Sequence, residues 1–281
     1  MLKRYLVTLM AALSLTTPAF AVLNINPTFT DGAGQTWTAD RMGVVNQAIS
    51  EWEAIFAVDA QANGQTVNVE FDFTTGESYL GLWSSEGSTI ARTNPPVNPE
   101  GLLRPWDTDV TMPNGSYTRG NMTQTISLNA DLFTGANYVW FDPTPLDGSD
   151  QPFEGWDALS VMRHEIGHMM GFTTLYGVIP AGTSSVVSDW ELQVSTVGPA
   201  TMFDAGGLDL ELAASDNLGH FANSVTDDLM LVAIPNGQRR FISDNDIAAL
   251  ETAYDYDLVP EPATMSLLLF GGMAMLRRRK K

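Results

Sequence analysis

The sequence predicts an α+β fold, with two long helices and short strands between them in its N-terminal part and a final helix near the C-terminal end. Three observations carry this expectation. Residues 38–57 and 157–171 place apolar side chains near the 3.6-residue helical period. Residues 66–73 alternate apolar and polar with a period of two, as a half-buried strand does. A third helical pattern, opened by a capping pair, lies between Ser243 and Tyr254.

The first helix runs from Thr38 to Ala57. Thr38 or Asp40 can cap it, and Val44, Val45, Ala48, Trp52, Ile55 and Phe56 form its apolar stripe. Asn63-Gly64 breaks the chain. In the strand that follows, Val67, Val69, Phe71 and Phe73 face one way and Asn68, Glu70 and Asp72 the other. Residues 84–121 are rich in Ser, Gly, Pro and Asn and read as a long surface excursion with room for a short strand pair, with Pro113-Asn114-Gly115 as a turn. Thr125 to Leu128 and Tyr138 to Phe141 are two further short strands. Tyr138, Trp140 and Phe141 read as core and rim packing.

Asp157 can cap the second helix. Ala158, Leu159, Val161, Met162, Ile166, Met169 and Met170 make it apolar over most of its circumference, so it should be buried. Gly171 fits the position just past its end, where a left-handed residue turns the chain. Gly207 to Leu212 alternates again. Ser243 and Asp246 resemble a capping pair before Ile247, Ala248, Leu250 and Ala253.

Both ends of the chain read as targeting segments. Residues 1–21 have a basic start at Lys3 and Arg4, a mostly apolar run from Leu6 to Leu15 and a small-x-small site at Ala19-Phe20-Ala21. That is the build of a secretory signal, and cleavage by signal peptidase would start the mature chain at Val22. At the other end, Val259-Pro260-Glu261-Pro262 precedes an apolar run, Met265 to Leu276, and then five basic residues, Arg277 to Lys281. Twelve residues fall short of the roughly 20 that a spanning helix needs. The membrane would therefore be met only transiently, with the basic end kept cytoplasmic.

Between Val22 and Leu258 there are 32 acidic residues, seven arginines and no lysine, a balance near −25. Such a body repels nucleic acid and anionic membrane, which excludes both as partners. Solubility outside the cell explains the excess; bound Ca²⁺ is a second candidate, although no contiguous Asp/Asn/Gly loop fits a Ca²⁺ motif. There are no cysteines, so the exported fold must rest on its core alone. These 237 residues are enough for one large domain, or for two subdomains around a cleft.

The chemistry lies in His164-Glu165-Ile166-Gly167-His168. On a helix, His164 and His168 are one turn apart on one face, so two neutral imidazoles can bind one Zn²⁺ at about 2.0–2.1 Å. Glu165 lies beside them, placed to handle a proton of water at the metal. With 3 His and 12 Glu in 281 residues, chance gives this pattern roughly once in a thousand chains. A catalytic zinc usually has three protein ligands and a water, so one ligand must come from elsewhere. His220 is the one other histidine, 52 residues after His168. Glu191, 23 residues after His168, and other acids compete with it.

Two resemblances add to this reading. The order Pro-Glu-Pro, short apolar run, basic cluster resembles the PEP-CTERM sorting tail of Gram-negative bacteria. It implies recognition by an exosortase-type processing enzyme and release of the protein to the cell surface or extracellular matrix. The stretch 164–172 resembles the metzincin zinc metalloproteases, but Thr174 stands where their third histidine follows the glycine. The leishmanolysin-like group is the better likeness, since there an insertion precedes the third histidine and a Met-turn follows it. In that likeness residues 172–219 are the insertion, His220 is the third ligand, and Gly171 and Met230 support the site. The metzincin-like fold it implies has an N-terminal twisted mixed sheet with two long helices and a C-terminal subdomain with a Met-turn and a final helix. Glu191 would instead fit the spacing of gluzincins such as thermolysin.

The resemblances imply a signal peptide at 1–21, a zinc metallopeptidase domain at 22–258 (upper subdomain 22–171, insertion and lower subdomain 172–258) and a sorting tail at 259–281. The implied activity is a secreted zinc endopeptidase acting on protein or peptide substrates, with Glu165 as general base. The alternatives are a surface or matrix zinc-binding protein with little turnover, and a zinc amidase acting on cell-wall material.

Overall fold

Thr38 starts the first helix, α1 (Ala39–Ile55), by accepting the backbone N–H of Arg41 on its side-chain oxygen. The computed structural model describes residues 23–76, 123–133, 138–146, 154–172, 209–213, 219–222, 224–225 and 228–258, with the backbone of five further strands at 81–85, 109–112, 115–118, 194–197 and 200–204. The stripe on α1 is buried as its spacing requires: Val44, Val45, Ala48, Ile49, Trp52 and Ile55 all face inward.

Two strands precede and follow this helix. β1 (Asn24–Phe29) pairs in parallel with β2 (Thr66–Thr74), with Ile25 opposite Val67 and Phe29 opposite Phe71. The apolar face of β2 is the expected one, Val67, Val69, Phe71 and Phe73. β3 (Gly81–Ser85) follows. β4 (Asp109–Met112) and β5 (Gly115–Thr118) form an antiparallel pair inside the excursion. β6 (Thr123–Asn129) runs parallel to β2 and antiparallel to β3. The main sheet is therefore mixed, in the order β1-β2-β6-β3.

A 3-10 turn, Ala130–Phe133, leaves this sheet. β7 (Val139–Trp140) and β8 (Trp156–Asp157) then make a short parallel pair that delivers the chain to α2 (Ala158–Met170). Asp157 caps α2 by accepting from the Ser160 N–H at 3.0 Å. Every residue of α2 except His168 is buried. The helix packs on α1, and the indole N–H of Trp52 donates to the Arg163 carbonyl at 2.9 Å, which ties the two helices together at that level.

β9 (Val194–Val197), β10 (Ala200–Asp204) and β11 (Asp209–Glu211) form a separate antiparallel sheet, order β11-β10-β9. α3 (Asp244–Tyr254) closes the described chain behind a full capping box between Ser243 and Asp246.

β1, β3, β9 and β10 are strands that the sequence reading did not anticipate. β1 does alternate, with Ile25, Pro27 and Phe29 on its inner face, but Pro27 counts against a strand in the sequence; it is tolerated because β1 is an edge strand. Gly81-Leu82-Trp83-Ser84-Ser85 is too short to display a period, and its last residues fall in the stretch expected to be surface excursion. Gly171 ends α2 as expected, at φ 137 and ψ −4. Its backbone is thus at positive φ but not in the left-handed helical well.

Candidate metal centre

His164 and His168 lie one turn apart on the buried helix α2, and their Nε2 atoms are 3.1 Å from each other. His220 comes from a short extended segment. There, Phe221 bridges Leu212 on one side and Leu231 on the other. The Ala213 N–H donates to the His220 carbonyl at 2.9 Å, and the Phe221 N–H donates to the Met230 carbonyl at 2.7 Å. This grip directs the His220 Nε2 atom to 2.9 Å from that of His164 and 3.0 Å from that of His168. The three sequence candidates thus converge on one point.

The hydrogens on the two helical imidazoles follow from their other contacts. His164 Nδ1 lies 3.0 Å from the Leu229 carbonyl oxygen, and His168 Nδ1 faces the Phe172 carbonyl oxygen. A carbonyl only accepts, so each Nδ1 carries the proton and each Nε2 presents a lone pair. His164 and His168 thus turn two lone pairs toward each other at 3.1 Å with the His220 Nε2 at the same reach, an arrangement that a bound cation, or a proton on the His220 Nε2, relieves. Three imidazoles so placed could hold a metal ion, and imidazole is a donor that suits divalent first-row metals, Zn²⁺ among them. Burial first, and the neighbouring His220 second, push His168 down to about 3, although its Phe172 partner acts the other way. The ring is therefore neutral at physiological pH, as a ligand must be.

Glu165 follows His164 on α2 and is buried, 6% exposed. Met230 is fully buried beneath the helix: a Cβ on Gly167, the residue between Ile166 and His168, would lie 2.7 Å from its sulfur. Gly171 stands under the ring of Tyr254. Glu191 and Thr174 lie outside the described residues, as does most of the expected insertion at 172–219.

The supports of this site are what sequence reasoning missed. The base of α2 is tied down by Arg239, which donates to Asp142 at 2.7 Å, to both oxygens of Asp157 and to the Pro145 carbonyl at 3.0 Å. Arg163 forks onto the Glu51 carboxylate and donates to the Arg240 carbonyl at 2.6 Å. Arg239 and Arg240 are visible in the sequence as an arginine pair in a body with only seven, but nothing local says which acids they meet.

Residues 258–280 match the PEP-CTERM protein-sorting motif. The chain is accordingly an exported protein, handled by an exosortase-type enzyme and directed to the cell surface or extracellular space, as in Gram-negative bacteria. No curated protein and no solved structure matches the chain. Among the described residues no helix is long and apolar enough to cross a membrane.

Proposed function

We propose that this exported protein is a zinc-dependent endopeptidase with a metzincin-like arrangement of its site. One observation carries the reading: three imidazole nitrogens meet within 3.1 Å, two with their protons turned away onto carbonyls, on a helix that sets Glu165 next to the first of them. A purely structural zinc is normally closed by four protein ligands and has no use for a neighbouring general base.

His164, His168 and His220 would hold the ion. When bound, Zn²⁺ supplies a Lewis acid and brings the pKa of coordinated water from 15.7 to about 7. The chain's own part is proton handling and positioning. Glu165 accepts a proton from the water that attacks the peptide carbonyl, and returns it to the amine nitrogen as the C–N bond breaks. The Leu229 and Phe172 carbonyls hold two of the imidazoles in the tautomer that leaves Nε2 free.

The sorting motif favours a second reading, a surface or matrix protein that keeps the metal and turns over little. A zinc amidase acting on cell-wall material is a third. The deciding experiment is cleavage of an unfolded protein substrate by the purified, zinc-loaded full chain, beside Glu165→Ala prepared identically. Cleavage by the parent and none by a variant that keeps its zinc supports the peptidase. Zinc bound by both without cleavage supports the surface protein, and release of peptide from a glycopeptide alone supports the amidase.

A further inference from the structure

Asp246 makes more contacts than a capping residue needs. It is the third residue of α3, and its Oδ2 accepts the Ser243 N–H at 2.7 Å, which completes the capping box. The same oxygen also accepts the Leu229 N–H at 3.2 Å, and Oδ1 accepts the Met230 N–H at 3.2 Å. The carboxylate is fully buried. Two of its three backbone partners therefore belong to a turn that is remote in sequence and lies under the histidines.

That turn reaches two of the three rings. The Leu229 carbonyl receives the His164 Nδ1 proton at 3.0 Å, and the Met230 carbonyl receives the N–H of Phe221, the residue after His220. The amides of both residues are held by Asp246, and their carbonyls hold the ligand-bearing segments. Asp228 braces the arrangement from behind: it accepts from the Ser243 hydroxyl and from the Asn245 amide at 3.1 Å. From this geometry we infer that Asp246 is a positioning residue for the histidine triad, acting through the Leu229-Met230 turn on His164 and His220 together.

The inference rests on the zinc reading proposed above. An amide in place of the carboxylate keeps the shape but gives up one acceptor oxygen and brings an NH₂ against a backbone N–H. The turn then loses at least one of its two anchors, and the carbonyls it carries drift from the imidazole and the strand. Outer partners of metal ligands change affinity by about 10–100-fold when mutated, and this carboxylate acts one step further out, on two ligands at once.

The test compares the purified full chain with Asp246→Asn, Asp246→Glu and Ser243→Ala. Ser243→Ala removes the other half of the capping box and the hydroxyl that Asp228 accepts, and leaves both turn anchors in place, so it measures the loss of capping and of that brace without the loss of an anchor. Zn²⁺ affinity is read by competition with a chromophoric chelator, and site geometry by the visible spectrum of the Co²⁺-loaded protein. Asp246→Asn should weaken Zn²⁺ about ten-fold or more and alter the Co²⁺ bands, with Asp246→Glu, which retains both carboxyl oxygens, between it and the parent. Ser243→Ala should lower the melting temperature and leave affinity and spectrum unchanged. Affinity and spectrum of Asp246→Asn equal to the parent's, or shifted only as far as those of Ser243→Ala, overturn the inference. If Asp246→Asn does not fold, Asp246→Glu decides on the same readouts. A parent that takes up no Zn²⁺ overturns the zinc reading itself, which is a different result from a zinc-binding parent beside unaffected variants.

Discussion

The Tyr254 hydroxyl donates to the Gly171 carbonyl at 2.8 Å, and the edge of its ring occupies the place where a side chain at 171 would begin. A Cβ there would lie 2.4 Å from the ring carbon Cε2. The contact joins the end of the histidine-bearing helix to the last helix of the body. It also fixes the exit of the chain toward Phe172, whose carbonyl holds His168.

Gly171→Ala should therefore be among the most damaging single-carbon changes in the body. The backbone at φ 137 strains any L side chain, at about 1–3 kcal/mol, and overpacking against Tyr254 adds about 1–3 kcal/mol more. Denaturant unfolding should show a loss of roughly 3 kcal/mol or more, and Zn²⁺ affinity should fall with it. Tyr254→Phe, which removes only the hydrogen bond, should cost about 1 kcal/mol. A Gly171→Ala protein as stable as the parent would contradict the contact.

Gly167 calls for a double-mutant cycle. Glycine inside a helix ordinarily costs about 1 kcal/mol relative to alanine, so Gly167→Ala should stabilise an unobstructed helix. Here the new Cβ meets the Met230 sulfur at 2.7 Å and the Trp52 ring at 3.3 Å. The methionine is flexible and can retreat, but only by leaving its seat beneath the helix. Gly167→Ala should thus yield no gain in the parent and a gain near 1 kcal/mol when Met230 is already alanine. Equal effects in the two backgrounds would show that Met230 does not press on this helix.

Arg239 separates an ion pair that matters from the many acids that do not. It is almost fully buried, and both of its carboxylate partners, Asp142 and Asp157, are 0% exposed. Removing it leaves two buried charges with no cation, and breaking such a pair costs about 3–5 kcal/mol. Arg239→Ala should lower stability by that amount and fray the start of α2, where Asp157 is the cap. Arg239→Lys should recover only part, since an ammonium cannot fork across two carboxylates. Retention of full stability by Arg239→Ala would remove this pin from the account of the site.

The histidine pair on α2 is legible in the sequence because its spacing is a local matter of one helical turn. Thr38, Asp157 and Ser243 are legible for the same reason: a cap binds an amide two or three residues away. The supports are of another kind. His164 meets a carbonyl 65 residues distant, and Trp52 meets one 111 residues distant. Both partners are backbone groups, which every residue carries, so no residue type announces them. Asp246 shows the limit most clearly. Its spacing from Ser243 displays its capping role, while its hold on Leu229 and Met230 leaves no mark in the pattern.

Asp246 and His168 also give the metal-free protein opposed responses to pH. Burial, reinforced by Asp228, pushes Asp246 up to about 7, although its hydrogen bonds from Ser243 and Leu229 pull the other way. An acid whose folded pKa is raised binds more protons folded than unfolded, so its contribution to stability falls as pH rises from about 4 to about 7. His168, pushed down to about 3, contributes stability that is present above about 6.5 and is lost as pH falls toward 3. Each contribution is on the order of 4 kcal/mol across its window, so the two offset each other between pH 4 and 6.5. Asp246→Asn removes one of them. The stability of the metal-free variant relative to the metal-free parent should therefore climb as pH rises from 4 to 7, by a few kcal/mol in urea unfolding. A difference that stays constant across that range would mean that Asp246 is ionised at pH 4 in the folded protein, with its charge fully met by the Leu229, Met230 and Ser243 amides.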